Sequence, residues 1–172
     1  QMVRSLALHT SVYAMAVGAA QLGTAPLAAH QIVMALWMLS SYVCDGFGVV
    51  GTSLGSSLYA GGHSISNLSI KLIVLGSSCG ALCGVALFAF SDSVIGCFTS
   101  QRSVVRQLQT VWWILCIMQP TNGAVFVLDG LLAALQAFKF AAKAMVGSVA
   151  LLFFPALLIG SALAGDSDDG TG

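Results

Sequence analysis

From Ser5 to Cys44 the chain runs 40 residues without one Asp, Glu, Lys or Arg, and that stretch decides most of what can follow. As a single helix it would measure about 60 Å at 1.5 Å per residue, twice the roughly 30 Å of a bilayer's hydrocarbon core. It therefore predicts two apolar helices joined by a corner. Gly23-Thr24-Ala25-Pro26 is the one segment within it suited to a corner, because glycine ends a helix and proline fits the first turn of the next. Composition agrees: 58% of the 172 residues are hydrophobic and 7% are charged, against roughly 25% charged in a soluble domain. Six Lys plus Arg balance six Asp, with no Glu. An electrostatic nucleic-acid binder needs a basic surplus, and a disordered chain needs high charge with low hydrophobicity. What remains is an all-α, polytopic membrane bundle with the lipid bilayer as its solvent.

Five spans are expected. The first covers about 5–22, and the second runs from Pro26 past Asp45 to the polar corner Gly61-Gly62-His63-Ser64. The third extends from Lys71 to about Phe90. A connector, Asp92 to Arg106, is partly amphipathic through Val94, Ile95, Phe98, Val104 and Val105, as in a segment lying along the membrane interface. Thr99 or Ser100 is the expected cap of the fourth span, which continues past Pro120 and Asp129 to about Gln136. The fifth starts near Lys139–Lys143 and ends at Ile159-Gly160, and residues 161–172 form an acidic, solvated tail. With alternating faces, Arg4, Lys71, Lys139 and Lys143 fall on one side and Arg102 and Arg106 on the other. The side richer in Lys and Arg is expected to be cytoplasmic. The chain opens on Gln1 with neither an initiator methionine nor a charged leader, and reads as part of a longer protein.

Three sets of residues carry information. Gly76, Gly80 and Gly84 make two overlapping GxxxG steps, and Gly51 and Gly55 repeat the spacing in the second span. Such faces bring helix backbones close together in lipid; they serve tight packing or a sliding surface. Pro120, deep in the fourth span, removes a backbone donor and crowds the carbonyl of Cys116. In a membrane the groups it frees must face protein or a water-filled cavity, and Gln119, Thr121 and Asn122 are at hand. Broken helices with polar groups at depth recur in transporter sites; a locally satisfied kink is the bland alternative. Asp45 and Asp129 each precede a glycine within an apolar run. An intramembrane carboxylate is costly unless it lines a cavity or finds a partner. Asp45, about 28 Å beyond Pro26, also fits an interfacial position. Asn122 and Asp129, seven residues apart, share a helix face about 10 Å apart and outline a polar ladder. Gln31 beside His30 reads either as a further polar patch at a cavity mouth or as a histidine satisfied by its local backbone.

Other chemistry is not indicated. Five cysteines, Cys44, Cys79, Cys83, Cys97 and Cys116, are scattered through apolar runs and do not form a secreted disulfide framework. Cys79 and Cys83 share a face, but with no His or acid within a turn they read as small packing residues rather than a metal or redox pair. No hydrolase elbow, zinc-binding helix or phosphate loop is present, so no enzyme, metal or cofactor is expected.

The order of landmarks resembles the multidrug and toxic compound extrusion (MATE) family. Leu22-Gly23-Thr24, Ala28-Ala29-His30-Gln31-Ile32, Leu36-Trp37, Asp45-Gly46-Phe47, Cys97-Phe98-Thr99, Gln119-Pro120-Thr121-Asn122, Phe126-Val127-Leu128-Asp129-Gly130 and Phe138-Lys139-Phe140-Ala141-Ala142 follow in sequence. The agreement looks closest to the DinF-like branch. The resemblance implies that residues 1–160 are a C-terminal lobe, about helices seven to eleven of twelve, whose partner is a first lobe not present here. It implies ion-coupled antiport of xenobiotics or organic anions, driven by a proton or sodium gradient. Gln31, Asp45, Gln119, Asn122 and Asp129 would then line the cavity. Plasma, vacuolar and plastid membranes all remain open. Departures stand at Gln101, Ala134 and Ala137, and at Asn122, where other members often carry an acid. An amide cannot hold a cation by charge. The competing expectation is a membrane-embedded structural or partner-binding fragment with no transport of its own.

Overall fold

The computed structural model describes residues 2–153 and 155. The expected end of the fifth span at Ile159-Gly160 and the acidic tail 161–172 lie outside the described residues. Those residues form α1 (Met2–Gln21), α2 (Thr24–Ala60), α3 (Ser66–Ala89), α4 (Ser91–Phe98), α5 (Arg102–Ala134) and α6 (Phe138–Ser148), the last continued by a π-helical stretch, Val149–Phe153. There is no strand among the described residues. Three helices, α2, α3 and α5, are long and apolar enough to cross a membrane.

The corners follow from local chemistry. Gly23 ends α1 with φ of 113°, and Pro26 falls in the first turn of α2, where no N–H is required. At the far end of α2, Gly62 takes φ of 73°. Its N–H donates to the Tyr59 carbonyl and that of His63 to the Leu58 carbonyl, the paired bonds of a Schellman cap. The same pair closes α5, with Gln136 N–H donating to Ala133 and Ala137 N–H to Leu132. Here, however, the left-handed position is held by Gln136, at φ of 54°.

Two sequence expectations need correcting. α3 begins at Ser66, five residues before Lys71. Neither Thr99 nor Ser100 caps α5: the N-cap is Gln101, in extended conformation and with no side-chain cap bond. Thr99 is already engaged, because its Oγ1 accepts the Gln101 N–H at 3.2 Å. The connector is a short helix, α4, followed by an extended Thr99. Its Ile95 is buried in a cluster with Val104, Leu108, Trp112, Leu115, Leu36 and Ala29.

The chain divides into two compact units. In one, α1 packs on α6 and its π-helical extension. In the other, residues 24–137, α5 lies against both α2 and α3. Contacts rise together along α2 and α5 (Ser41 with Asn122, Gly55 with Ala134) and run oppositely along α3 and α5 (Gly76 with Val127, Gly84 with Cys116). α2 and α5 are thus parallel, with α3 antiparallel to both.

Burial in this unit is reversed relative to a soluble protein. On α3, Gly76, Gly80 and Gly84 are buried, while Leu82, Val85 and Phe88 are 70, 65 and 67% exposed. Water would not tolerate that exposed face; lipid favours it, because small residues at the interface let backbones pack where no hydrophobic drive exists. A Cβ on Gly84 would lie 2.5 Å from the Cys116 carbonyl oxygen, and one on Gly76 2.6 Å from Val127 Cγ2. Cβ atoms on Gly80 and Gly123 would fall still closer, onto the carbonyls of Gln119 and Gly76. The recurring approach of α-carbon to carbonyl across α3 and α5 is the geometry of weak Cα–H···O bonds. Packing, one of the two readings of the glycine stripe, is what this arrangement displays.

Candidate functional site

The polar residues of α5 are placed by its proline. Pro120 cannot donate to the Cys116 carbonyl, and this acceptor faces the bare backbone at Gly84. α5 runs through Pro120 as one helix, and the carbonyl left without a donor is lined by protein, as the bilayer interior requires. One residue earlier, Gln119 is 0% exposed, and its Nε2 donates back to the Leu115 carbonyl at 3.2 Å. Asn122, 7% exposed, turns toward α2.

From there a continuous polar chain crosses to the neighbouring helix. Asn122 Nδ2 donates to Ser41 Oγ at 2.9 Å and to Gln119 Oε1 at 3.4 Å. Ser41 Oγ donates its own proton to the Trp37 carbonyl at 2.7 Å. Because the only Ser41 proton is used there, its oxygen can only accept from Asn122. That requirement sets the orientation of the carboxamide and turns Asn122 Oδ1 away from both partners. Ser40, also buried, donates to the Leu36 carbonyl at 2.9 Å. No buried side-chain nitrogen or oxygen among the described residues lacks a partner. The cluster is neutral throughout and nothing in it titrates near pH 7.

Asp45 and Asp129 stand further along the same parallel pair. Gly48 and Gly130 are where α2 and α5 pass closest: a Cβ on Gly48 would lie 2.6 Å from the Phe126 carbonyl oxygen, and one on Gly130 would meet the Gly48 backbone. Thr52 Oγ1 lies 3.0 Å from the carbonyl oxygens of both Gly48 and Gly130. Asp45, exposed, has Oδ1 3.8 Å from the Cβ position of Gly48. Asp129 is half-buried beside Gly130. Along the helices Asp45 is one turn beyond Ser41, and Asp129 about two turns beyond Asn122.

Of the five cavity residues expected from sequence, the structure joins Gln119 directly to Asn122. It sets Asp45 and Asp129 beside the Gly48–Gly130 crossing, and leaves Gln31 exposed, nearly three turns before Ser41. Gly51 and Gly55 are buried on α2, with Gly55 against Ala134 and Gly51 against Leu131 and Leu72. Sequence reasoning missed Ser41, the acceptor that orients Asn122, and Gly48, Gly123 and Gly130. A serine pair inside Leu36-Trp37-Met38-Leu39-Ser40-Ser41 was the available signal for the first, and the seven-residue spacing of Gly123 and Gly130 for the others.

Small residues inside, large apolar residues outside and three long apolar helices define an integral, multi-pass membrane protein. The family model of MatE matches residues 2–159, and the chain belongs to the MatE family. Among curated relatives it is similar to Protein DETOXIFICATION 43 of Arabidopsis thaliana, 28% identical over 152 residues, which is 87% of this chain and 29% of that protein. It is also similar to Protein DETOXIFICATION 44, chloroplastic, of the same plant, 30% identical over 139 residues, 78% of this chain and 27% of the relative. The chain thus spans less than a third of the length of these relatives. No solved structure gives a significant match.

Proposed function

We propose that this chain is the second lobe of an ion-coupled antiporter of the DinF-like branch, forming one wall of a cavity for a small organic solute. A first lobe would supply the other wall, since alternating access needs two repeats moving about a shared site. The observation that carries the reading is the buried, neutral Gln119–Asn122–Ser41 chain beside the proline inside α5. Its amide is oriented with one acceptor, Oδ1, turned away from the chain, as suits a hydrogen-bond contact to solute. Proton coupling then falls to a carboxylate, with Asp129 the candidate, because no group in the cluster carries charge for sodium. The names of the relatives, detoxification proteins, support a xenobiotic as solute.

The test places this lobe in a complete transporter and measures uptake into vesicles under an imposed pH gradient. Asp129→Asn is expected to keep expression and to lower transport or shift its pH dependence. Asn122→Ala is expected to weaken solute affinity with the pH profile unmoved. Normal transport by both variants at equal expression would overturn the site.

A second reading draws on the complete hydrogen bonding of the cluster, which also suits a static clamp between α2 and α5. It predicts that Asn122→Ala lowers stability and leaves solute affinity unchanged.

A further inference from the structure

Asn122 is 7% exposed, yet one of its polar atoms is left without a hydrogen bond. Two separate constraints decide which atom that is. Ser41 gives its only proton to the Trp37 carbonyl and can only accept from Asn122. Gln119 Nε2 donates to the Leu115 carbonyl at 3.2 Å, which leaves its Oε1, an acceptor, facing Asn122. Both partners of the Asn122 amide are therefore oxygens, and its two N–H hydrogens are used on them. Oδ1 has no hydrogen bond among the described residues. Every buried side-chain oxygen among those residues has a partner, so Oδ1 is not enclosed and reaches the surface of the α2–α5 pair. Gln119, at 0% exposure, keeps its own hydrogens inside. Toward that surface the cluster offers an acceptor and no donor.

We propose that the cavity selects solutes that present an uncharged hydroxyl or amine hydrogen to Asn122 Oδ1, and disfavours solutes whose polar groups only accept. The inference rests on the proposed cavity and adds a solute class to it. Lipid tails carry no donor, so between apolar spans this carbonyl oxygen is matched only by an O–H or N–H brought to it. An ether, a ketone or an ionised carboxylate would set oxygen against oxygen and leave Oδ1 unpaired. A hydrogen-bonding site rejects the analogue that cannot complete its bond more sharply than an apolar pocket counts methylenes. The static clamp leaves this outward acceptor without a use.

The test compares umbelliferone, which carries one phenolic hydroxyl, with its methyl ether. Equilibrium dialysis against the purified complete transporter, at a mildly acidic pH that keeps the phenol protonated, gives the saturable binding of each. Umbelliferone is expected to bind tighter by about tenfold or more, the effect of pairing a partly buried acceptor. Asn122→Leu is expected to abolish that preference by weakening umbelliferone alone. Equal affinities in the unsubstituted protein would overturn the inference without any variant, as would a preference that survives Asn122→Leu or no saturable binding of umbelliferone. Should Asn122→Leu weaken both probes equally, the donor requirement falls and the cavity stands. Should it move neither, the cavity falls as well.

Discussion

Asn122 shows how one hydroxyl can orient an amide inside a membrane. Ser41 donates to its own helix, as serines within helices commonly do toward the carbonyl four residues back, and is left able only to accept. Removing that acceptor strands a buried Asn122 hydrogen, at about 1–3 kcal/mol. Ser41→Ala is therefore expected to lower unfolding stability in detergent by that amount. Ser41→Ala combined with Asn122→Leu is expected to cost less than the two single changes together, by at least about 0.5 kcal/mol, the coupling of residues sharing one network. Additive costs in this double-mutant cycle would mean that the bond contributes nothing.

Helices bring a different rule, in which the same residue type has opposite effects at two positions. Gly46 has nothing within 4 Å of its Cβ position, whereas the Cβ position of Gly80 falls on the Gln119 carbonyl. Gly46→Ala is expected to raise stability by about 0.5–1 kcal/mol through helix propensity alone. Gly80→Ala forces α3 off α5 and is expected to cost about 1–3 kcal/mol; equal effects in thermal unfolding would contradict the packing. At the end of α5, Gln136 occupies a left-handed position that costs an L-residue about 1–2 kcal/mol. Gln136→Gly should recover about 1 kcal/mol, visible as a higher melting temperature in detergent.

For the molecule in its bilayer, the antiparallel order of α2, α3 and α5 puts the Gly61–Ser64 corner and the α4 segment at opposite ends of the residue 24–137 unit. From the excess of Lys and Arg in the sequence, the Ser64 end is expected to face the cytoplasm. In intact cells an impermeant maleimide added outside is expected to label the native, exposed Cys97. A Ser64→Cys variant lacking Cys97 should label only after the membrane is opened. Labelling of position 64 from outside would reverse the topology.

Much of this was legible in the residues themselves. The uncharged run from Ser5 to Cys44, the Gly23–Pro26 and Gly61–Ser64 corners, and the glycine spacing of α3 are local signals. Helix termination and hydropathy act within a few residues, so they report class, helices and buried faces without a partner in view. What α5 does with its polar residues was not legible in this way. Pro120, Gln119 and Asn122 announced a break, but only the packed structure put Ser41 opposite Asn122 and Gly84 opposite the freed Cys116 carbonyl. Thr99 looked like a cap until its hydroxyl was found accepting from Gln101. Each of these depends on which donor is already taken, or on which residue arrives from another helix. Such contacts between residues distant in sequence exist only after the backbones have come together, so tertiary structure alone decided them.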